Sequence, residues 1–375
     1  MQWNIPRYLL TCALLGGVVL VVAVLPRPVP QQYTEKHDAV PAVSAPALAA
    51  STPLPATSIS LDKTCVGENA ARFDCYKAYY RTLVETSGVK IAFADLKKEY
   101  QAIPYVRAQC HPLTHVIGQA AGKKAASVSE AFLAGDSFCW SGYYHGVMEA
   151  VVAKVGREHV ASELDGICAK ISGRERYSFD YYNCVHGLGH GLMEITQDEL
   201  FDSLALCDHL TGLWEEQSCW GGVFMENIIV DATGRHTNYL KPDDPVYPCS
   251  AVEEKYKERC YMMQTSYMMK TTGSNFITIF ALCRVADPHY RDICYQSLGR
   301  DASGSTTSDP ERTKNICLLG ADANERANCI SGAVRDFVSY HHSDMQARGL
   351  CTILPAEFQK DCLSTVSAYY VSFKK

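Results

Sequence analysis

The hydrophobic pattern divides the chain into three parts. Residues 8–25 are almost wholly apolar, and eighteen residues at a rise of 1.5 Å span roughly 27 Å, close to the hydrocarbon thickness of a bilayer. Residues 26–60 are rich in Pro, Ala, Ser and Thr and show no apolar periodicity, which is typical of a flexible spacer. From residue 61 to 375, short apolar runs alternate with polar turns.

The apolar run predicts an uncleaved anchor more strongly than a cleaved signal peptide. A signal peptide has an apolar core of about 7–15 residues and ends at a small-residue cleavage site, whereas this run ends in Leu25, Pro26 and Arg27. We therefore expect residues 1–25 to form a cytoplasmic tip and a transmembrane signal anchor. Residues 26–60 are expected to be a disordered linker, with a cleaved pro-segment as the alternative.

The third part has the pattern of helical hairpins. Residues 276–282 form an apolar run that leads into Cys283, Pro288 then breaks the helix, and residues 290–298 begin another helix that contains Cys294. Later units repeat this order. Each unit is therefore predicted to be a helix that ends near one cysteine, a short turn, and a helix that starts near the next cysteine.

The cysteines give this pattern a period. Cys12 lies in the apolar run, and the other sixteen cysteines follow residue 61. Fourteen of these form local pairs that are predicted disulfides: Cys65 with Cys75, Cys168 with Cys184, Cys207 with Cys219, Cys249 with Cys260, Cys283 with Cys294, Cys317 with Cys329, and Cys351 with Cys362. The first members of the last four pairs follow one another at 34 residues, which indicates a solenoid. Cys110 and Cys139 remain, and we expect them to pair with each other across neighbouring repeats.

The period and the hairpin layout resemble those of tetratricopeptide-like repeats and, more loosely, of the cysteine-rich Sel1-like repeats. The resemblance covers about residues 62–375, although the Trp-Leu-Gly-Tyr consensus of the former is missing and the cysteine spacing of the latter differs. It implies an all-α solenoid of about eight or nine hairpins, and at the level of fold alone it carries no activity.

Sixteen cysteines in one domain are typical of an oxidising compartment. Residues 61–375 are therefore predicted to be exported, and the lack of an Asn-x-Ser/Thr sequence there favours a bacterial periplasm over a eukaryotic lumen. The formal net charge is −6 and there is no basic tract, so a nucleic-acid partner is not expected.

Histidines recur at matched places in the repeats. The residues six positions after the second cysteine are His145, His190, Met225, Ser266, Arg300 and Arg335, and His115 lies five positions after Cys110. Residues four apart share one face of a helix, so His145 is expected beside Glu149, and His186 beside His190 and Glu194. His111 has the same spacing from His115, but Pro112 suggests that His111 caps the helix.

Because equivalent helices of adjacent repeats lie side by side, these side chains are predicted to converge. Imidazole and carboxylate groups are ligands of Zn, Fe or Cu. A metal there would also permit catalysis, with Glu149 and Glu194 as candidate general bases. We expect a transition-metal site with these ligands: His115, His145, His186, His190 and Glu226.

Three alternatives stay open at this point. The histidines could form a packing network between helices, which Arg300 and Arg335 at the matching places favour because arginine does not ligate metals. Histidine and arginine together could instead bind an organic anion. The exported part could also be a non-catalytic scaffold that docks a partner protein on its concave face. Gly187, Gly189 and Gly191 indicate close approach by another helix or by a ligand.

Overall fold

The structure, a computed structural model, describes residues 64–67, 69–230 and 236–374. Within these ranges the chain forms seventeen α-helices and no strand, as the cysteine and apolar patterns predict. The predicted anchor and the predicted linker, residues 1–25 and 26–60, lie outside the described residues. Among the helices that are described, none has both the length and the apolar character needed to cross a bilayer.

Nine helices form a central row in which each helix packs against the next. They are α1 (Asn69–Ser87), α4 (Cys110–Lys124), α6 (Gly142–Val155), α8 (Phe179–Ile195), α10 (Leu213–Ile229), α11 (Glu254–Thr271), α13 (Arg291–Ser305), α15 (Ala323–His341) and α17 (Ala356–Lys374). Eight further helices, most of them shorter, flank this row: α2 (Val89–Ala102), α3 (Pro104–Ala108), α5 (Val128–Leu133), α7 (Val160–Ile167), α9 (Leu200–Cys207), α12 (Phe276–Val285), α14 (Pro310–Cys317) and α16 (Met345–Ile353). This arrangement of hairpins is compatible with a helical-repeat fold.

The eight predicted disulfides are all formed. Seven of them tie short local loops, as the spacing predicts: Cys65 to Cys75, Cys168 to Cys184, Cys207 to Cys219, Cys249 to Cys260, Cys283 to Cys294, Cys317 to Cys329, and Cys351 to Cys362. The eighth joins Cys110 to Cys139 across 29 residues, as expected for neighbouring repeats.

These disulfides have the geometry that the covalent bond requires. Their Cα–Cα distances run from 5.4 to 5.9 Å, within the usual range. Because most half-cystines are fully buried, the bonds belong to the core and brace the helix pairs from inside.

One hairpin departs from the predicted pattern. The Cys249–Cys260 disulfide joins α11 to a stretch of turns and bends instead of to a preceding helix. Pro242, Pro245 and Pro248 stand three residues apart in that stretch, and proline removes a backbone donor and clashes with the preceding helical turn. The cysteine spacing therefore persists here without the helix that precedes it elsewhere.

Glycines let three pairs of central-row helices approach closely. A Cβ atom added at any of these positions would overlap the backbone of the opposite helix, so only glycine fits. The pairs are Gly118 and Gly146 (α4 and α6), Gly189 and Gly222 (α8 and α10), and Gly299 and Gly332 (α13 and α15). Of the two explanations for Gly189, another helix or a ligand, the structure shows the helix.

The central row curls back on itself. The Trp140 ring, just before α6, lies 5.2 Å from that of Tyr340 near the end of α15. The Phe179 ring at the start of α8 lies 4.8 Å from that of His342, whose Nε2 is 3.0 Å from Ser137 Oγ. The starts of α6 and α8 thus lie close to the end of α15.

Candidate metal centre

Four successive central-row helices bring five histidines and two glutamates into one buried cluster. Helix α4 supplies His111 and His115, α6 supplies His145 and Glu149, α8 supplies His186 and His190, and α10 supplies Glu226. His111 is half-buried, and the other six are at most 4% exposed. We call this set the histidine cluster.

His111 and His115 face each other through their Nε2 atoms, which are 3.0 Å apart. Nδ1 of His115 lies 2.6 Å from Oε1 of Glu149, and Nδ1 of His111 lies 2.8 Å from the carbonyl oxygen of Cys139. Both oxygens are acceptors, so both Nδ1 atoms donate, and each neutral ring carries its lone pair on Nε2. Gln119 donates to the second carboxylate oxygen of Glu149 at 2.5 Å, which fixes that carboxylate in turn.

His186 and His190 repeat this layout two helices further along the row. Their Nε2 atoms are 3.4 Å apart, and Nδ1 of His190 lies 2.7 Å from Oε2 of Glu226. Nδ1 of His186 lies 3.3 Å from the hydroxyl oxygen of Tyr182, and the backbone of Ser218 is a further partner of the ring. The cluster therefore contains two His-x-x-x-His pairs, each with a glutamate from the next central-row helix behind one ring.

His145 lies between the two pairs. Its ring stacks on that of His190 at 4.4 Å and lies 5.3 Å from that of His115, with distances measured between centroids. Its Nδ1 is buried and has no hydrogen-bond partner within the described part of the chain. A buried polar atom without a partner costs about 1–3 kcal/mol, so it calls for an explanation such as an ion.

The cluster favours neutral imidazoles. Burial, followed by the neighbouring His115, lowers the pKa of His111 to about 3. Burial likewise lowers the pKa of His186 to about 3, against the opposing effect of its hydrogen bond to Ser218. Burial and then His190 hold the pKa of His145 well below its ordinary value. Neutral imidazole is the form that ligates metals.

Comparisons with protein-family models, with curated proteins and with solved structures find no match to this chain. The geometry of the histidine cluster is therefore the observation that bears on its function.

The structure assembles most of the predicted site and changes two of its members. His115, His145, His186, His190 and Glu226, the predicted ligands, all lie in the cluster, and so does Glu149. Glu194, the other predicted general base, is exposed one helical turn beyond His190. His111, which was expected to cap its helix, belongs to the cluster, because α4 begins at Cys110 and proline is accepted in the first turn of a helix.

A third helix pair shows what the fold does without the histidines. Helices α13 and α15 cross through Gly299 and Gly332 just as α8 and α10 cross through Gly189 and Gly222. One residue after Gly189 stands His190, whereas Arg300 follows Gly299 at the matching place. The close packing therefore does not require histidine, and the imidazoles are a property of the first half of the row.

Proposed function

We propose that this protein is an exported transition-metal-binding protein whose site is the histidine cluster. One observation carries the proposal: the Nε2 atoms of His111 and His115 face each other at 3.0 Å while both Nδ1 atoms are committed to acceptors. Two lone pairs at that distance repel each other, and a cation bound between them removes the repulsion.

The spacing of the nitrogen atoms fits metal coordination. With nitrogen–metal bonds near 2.0–2.1 Å, two ligands are about 2.9 Å apart at a right angle and about 3.4 Å apart at a tetrahedral angle. The His111–His115 pair is at 3.0 Å and the His186–His190 pair is at 3.4 Å. Both separations therefore support two ligands of one ion, without rearrangement of the helices.

His145 is suited to complete either pair. Ligand atoms of His111, His115 and His145 all lie within 4.8 Å of one another, and so do those of His145, His186 and His190. The cluster thus offers two overlapping three-histidine positions that share one ring, beside a third group made of His115, Glu149, His190 and Glu226. We propose up to two ions per chain, with His145 as the common ligand.

The glutamates act behind the ligands in this proposal. Glu149 and Glu226 bind the Nδ1 side of His115 and His190, away from the facing Nε2 atoms. A carboxylate at that place fixes the orientation of a ligating histidine and raises its basicity. This arrangement favours a positioning role for Glu226 over the ligand role expected from sequence. A general-base role for Glu149 or Glu194 stays a prediction.

The donor set narrows the class of metal. Imidazole nitrogens suit Zn, Cu, Fe or Ni, and they are poor ligands for Mg or Ca, which prefer oxygen. A packing network is the competing explanation, but such a network normally gives each buried imidazole a hydrogen-bond partner, and Nδ1 of His145 has none among the described residues. A metal-dependent enzyme is the finer form of our proposal.

The disulfides support the cellular location. Eight disulfides indicate an oxidising, extracellular-type environment. We propose the periplasmic side of a membrane, with residues 1–25 as anchor. The tetratricopeptide-like identity of the hairpins and a partner protein on the concave face also remain proposals.

Elemental analysis of the full-length protein, purified without a histidine tag, tests the metal site. We expect one to two equivalents of a transition metal per chain, and loss of that metal in the double variant His145→Ala, His190→Ala. The control is His209→Ala, His289→Ala, because both of these histidines are exposed and lie outside the cluster. A wild-type protein that stays metal-free after dialysis against Zn, Cu, Fe and Ni salts contradicts the proposal.

A further inference from the structure

A small cavity opens beside the histidine cluster. It has a volume of about 90 Å³ and lies between the α8, α10 and α11 helices of the central row. His186 forms part of its wall, so the cavity borders the His186–His190 pair directly. The rest of the wall includes Tyr182, Trp214, Gln217, Arg259 and Met263.

The wall of the cavity includes the positively charged side chain of Arg259, whose hydrogen-bonding groups are only partly occupied. Arg259 donates through Nη2 to Oε1 of Gln217 at 2.9 Å, and that partner is neutral. Its nearest acidic group in the described residues is Glu258, 3.6 Å from the same nitrogen and half-exposed to solvent. Nε of Arg259 is buried and finds no acceptor among the side chains and backbone that the structure describes. The guanidinium therefore retains donor capacity and positive charge at the cavity wall.

Arg300, on the next helix of the row, is different. Its Nη2 lies 2.8 Å from Oδ1 of Asp301, and its Nη1 donates to the backbone oxygen of Met262 at 2.6 Å. Its charge is neutralised and its donors are occupied. Arg259, whose Nε has no acceptor among the described residues and whose ion pair with Glu258 is long and half-exposed, therefore keeps more capacity to bind an anion than Arg300 does.

We propose that the cavity binds the carboxylate group of a small organic acid, with Arg259 as its main partner. A guanidinium fork matches the two oxygens of a carboxylate. The rings of Tyr182 and Trp214 and the side chain of Met263 would cover a short apolar body. A cavity needs about 10–15 Å³ by this measure for each water-sized group, so 90 Å³ admits only a few heavy atoms.

Phosphate fits these walls less well. A phosphate dianion is normally bound by several cations or by a nest of backbone amides, whereas this cavity presents Arg259 and largely aromatic or thioether groups. Gly221 keeps the cavity open next to the metal position, since a Cβ there would lie 3.4 Å from Nδ1 of His186. That is an ordinary contact distance, so alanine at this place narrows the cavity without forcing the helices apart.

The position of the cavity next to the histidine cluster suggests a role for the bound carboxylate, and that role rests on the proposed metal site. His186 and Arg259 line the same cavity, so a ligand held by Arg259 would lie beside the His186–His190 pair. The organic acid would then be the substrate or the co-ligand of the metal centre.

Calorimetric titration of the metal-free, full-length protein with propionate tests the cavity separately from the metal. We expect binding that weakens at least tenfold in Arg259→Gln and also in Gly221→Ala. Arg157→Gln is the matched control, because Arg157 is exposed and paired with Asp202, and it should bind like the wild type. Inorganic phosphate and methylammonium are the comparison probes.

Propionate binding that is absent, or equally strong in Arg259→Gln, overturns the carboxylate site, and so does tighter binding of phosphate than of propionate. Repeating the titration after zinc loading tests the link to the metal. Affinity for propionate should rise about tenfold, and an unchanged affinity would separate the cavity from the cluster. If zinc never binds but propionate does, the metal proposal fails and the carboxylate site stands.

Discussion

The imidazole of His145 stacks on that of His190, with ring centroids 4.4 Å apart and ring planes at 17°. The two residues lie on neighbouring helices, α6 and α8, and the contact joins the His111–His115 pair to the His186–His190 pair. His145 thus contacts both pairs, which also meet directly where the rings of His115 and His190 lie 5.2 Å apart. Its unpaired Nδ1 makes it the most informative position to change.

Replacing His145 by leucine should separate stability from metal binding. The metal-free variant should be more stable than the wild type by about 1 kcal/mol, because a buried polar atom without a partner is removed. Zinc should raise the unfolding temperature of the wild type and leave that of the variant almost unchanged. Calorimetry with and without zinc measures both effects. A variant that keeps the full zinc-dependent shift would show that His145 is not a ligand.

The two buried glutamates should control metal affinity without touching the metal. Glu149→Gln and Glu226→Gln should each weaken metal binding by about 10–100-fold, since each removes the anion that holds Nδ1 of a ligating histidine. Glu194→Gln is the matched control on α8, because Glu194 is exposed, and its affinity should equal that of the wild type. Competition with a metal-binding dye gives the dissociation constants. Equal losses of metal affinity in all three variants would contradict the positioning role of Glu149 and Glu226.

Adjacent glycines on α10 should respond in opposite directions to alanine. Gly221→Ala should stabilise the protein by about 0.5–1 kcal/mol, because its Cβ has room and alanine is the better helix former. Gly222→Ala should cost about 3 kcal/mol or more, because its Cβ would overlap the backbone oxygen of His186. Denaturant unfolding of both variants measures the difference. Equal effects would mean that α8 and α10 are not as close as described.

Asp336 should make stability depend on pH. Burial raises the pKa of its carboxyl from 3.8 to about 6, against the lowering by a hydrogen bond from Ser303 and by the charge of Arg300, and Asp301 adds to the rise. The folded state therefore holds a proton that the unfolded state has lost between about pH 4 and 6. The contribution of Asp336 to the free energy of unfolding therefore falls as pH rises through that window and is constant above it.

Asp336→Asn removes this dependence. The free energy of unfolding of the variant should rise relative to that of the wild type as pH increases from about 4 to 6. The difference should reach roughly 3 kcal/mol for a pKa shift of about two units. Urea unfolding of both proteins between pH 4 and 8 gives the difference. Above pH 6 that difference should stay level, and a difference that is constant over the whole range would contradict the raised pKa.

The sequence predicts the covalent framework well because its signals are local. Six of the seven local cysteine pairs are separated by 10 to 12 residues, which is the span of a helix turn and its flanks, and each pair closes as expected. The convergence of His115, His145 and His190 also follows from spacing on successive helices. Both inferences need only the period of the repeat.

Positions that depend on local backbone detail could not be read from the period. Cys139, Trp140 and Ser141 have left-handed backbone angles, so α6 begins only at Gly142, and the repeat period does not specify that start. Pro112 resembles a cap signal, so the sequence does not place His111 in the cluster. The carboxylate partners and Arg259 depend on contacts between helices 34 or more residues apart, which one sequence does not specify.

The Cys110–Cys139 disulfide next to the cluster bears on the order of the steps by which the protein matures. Cys110 precedes His111 in the chain, and the carbonyl group of Cys139 holds the ring of His111. A newly made chain carries sixteen thiols in this region, and thiolates capture soft and borderline ions in competition with imidazole. Oxidation eliminates those competitors and shapes the nitrogen pocket in one step. For the proposed metal site, loading should therefore follow disulfide formation, and a defect in thiol oxidation should yield protein that binds the wrong ion.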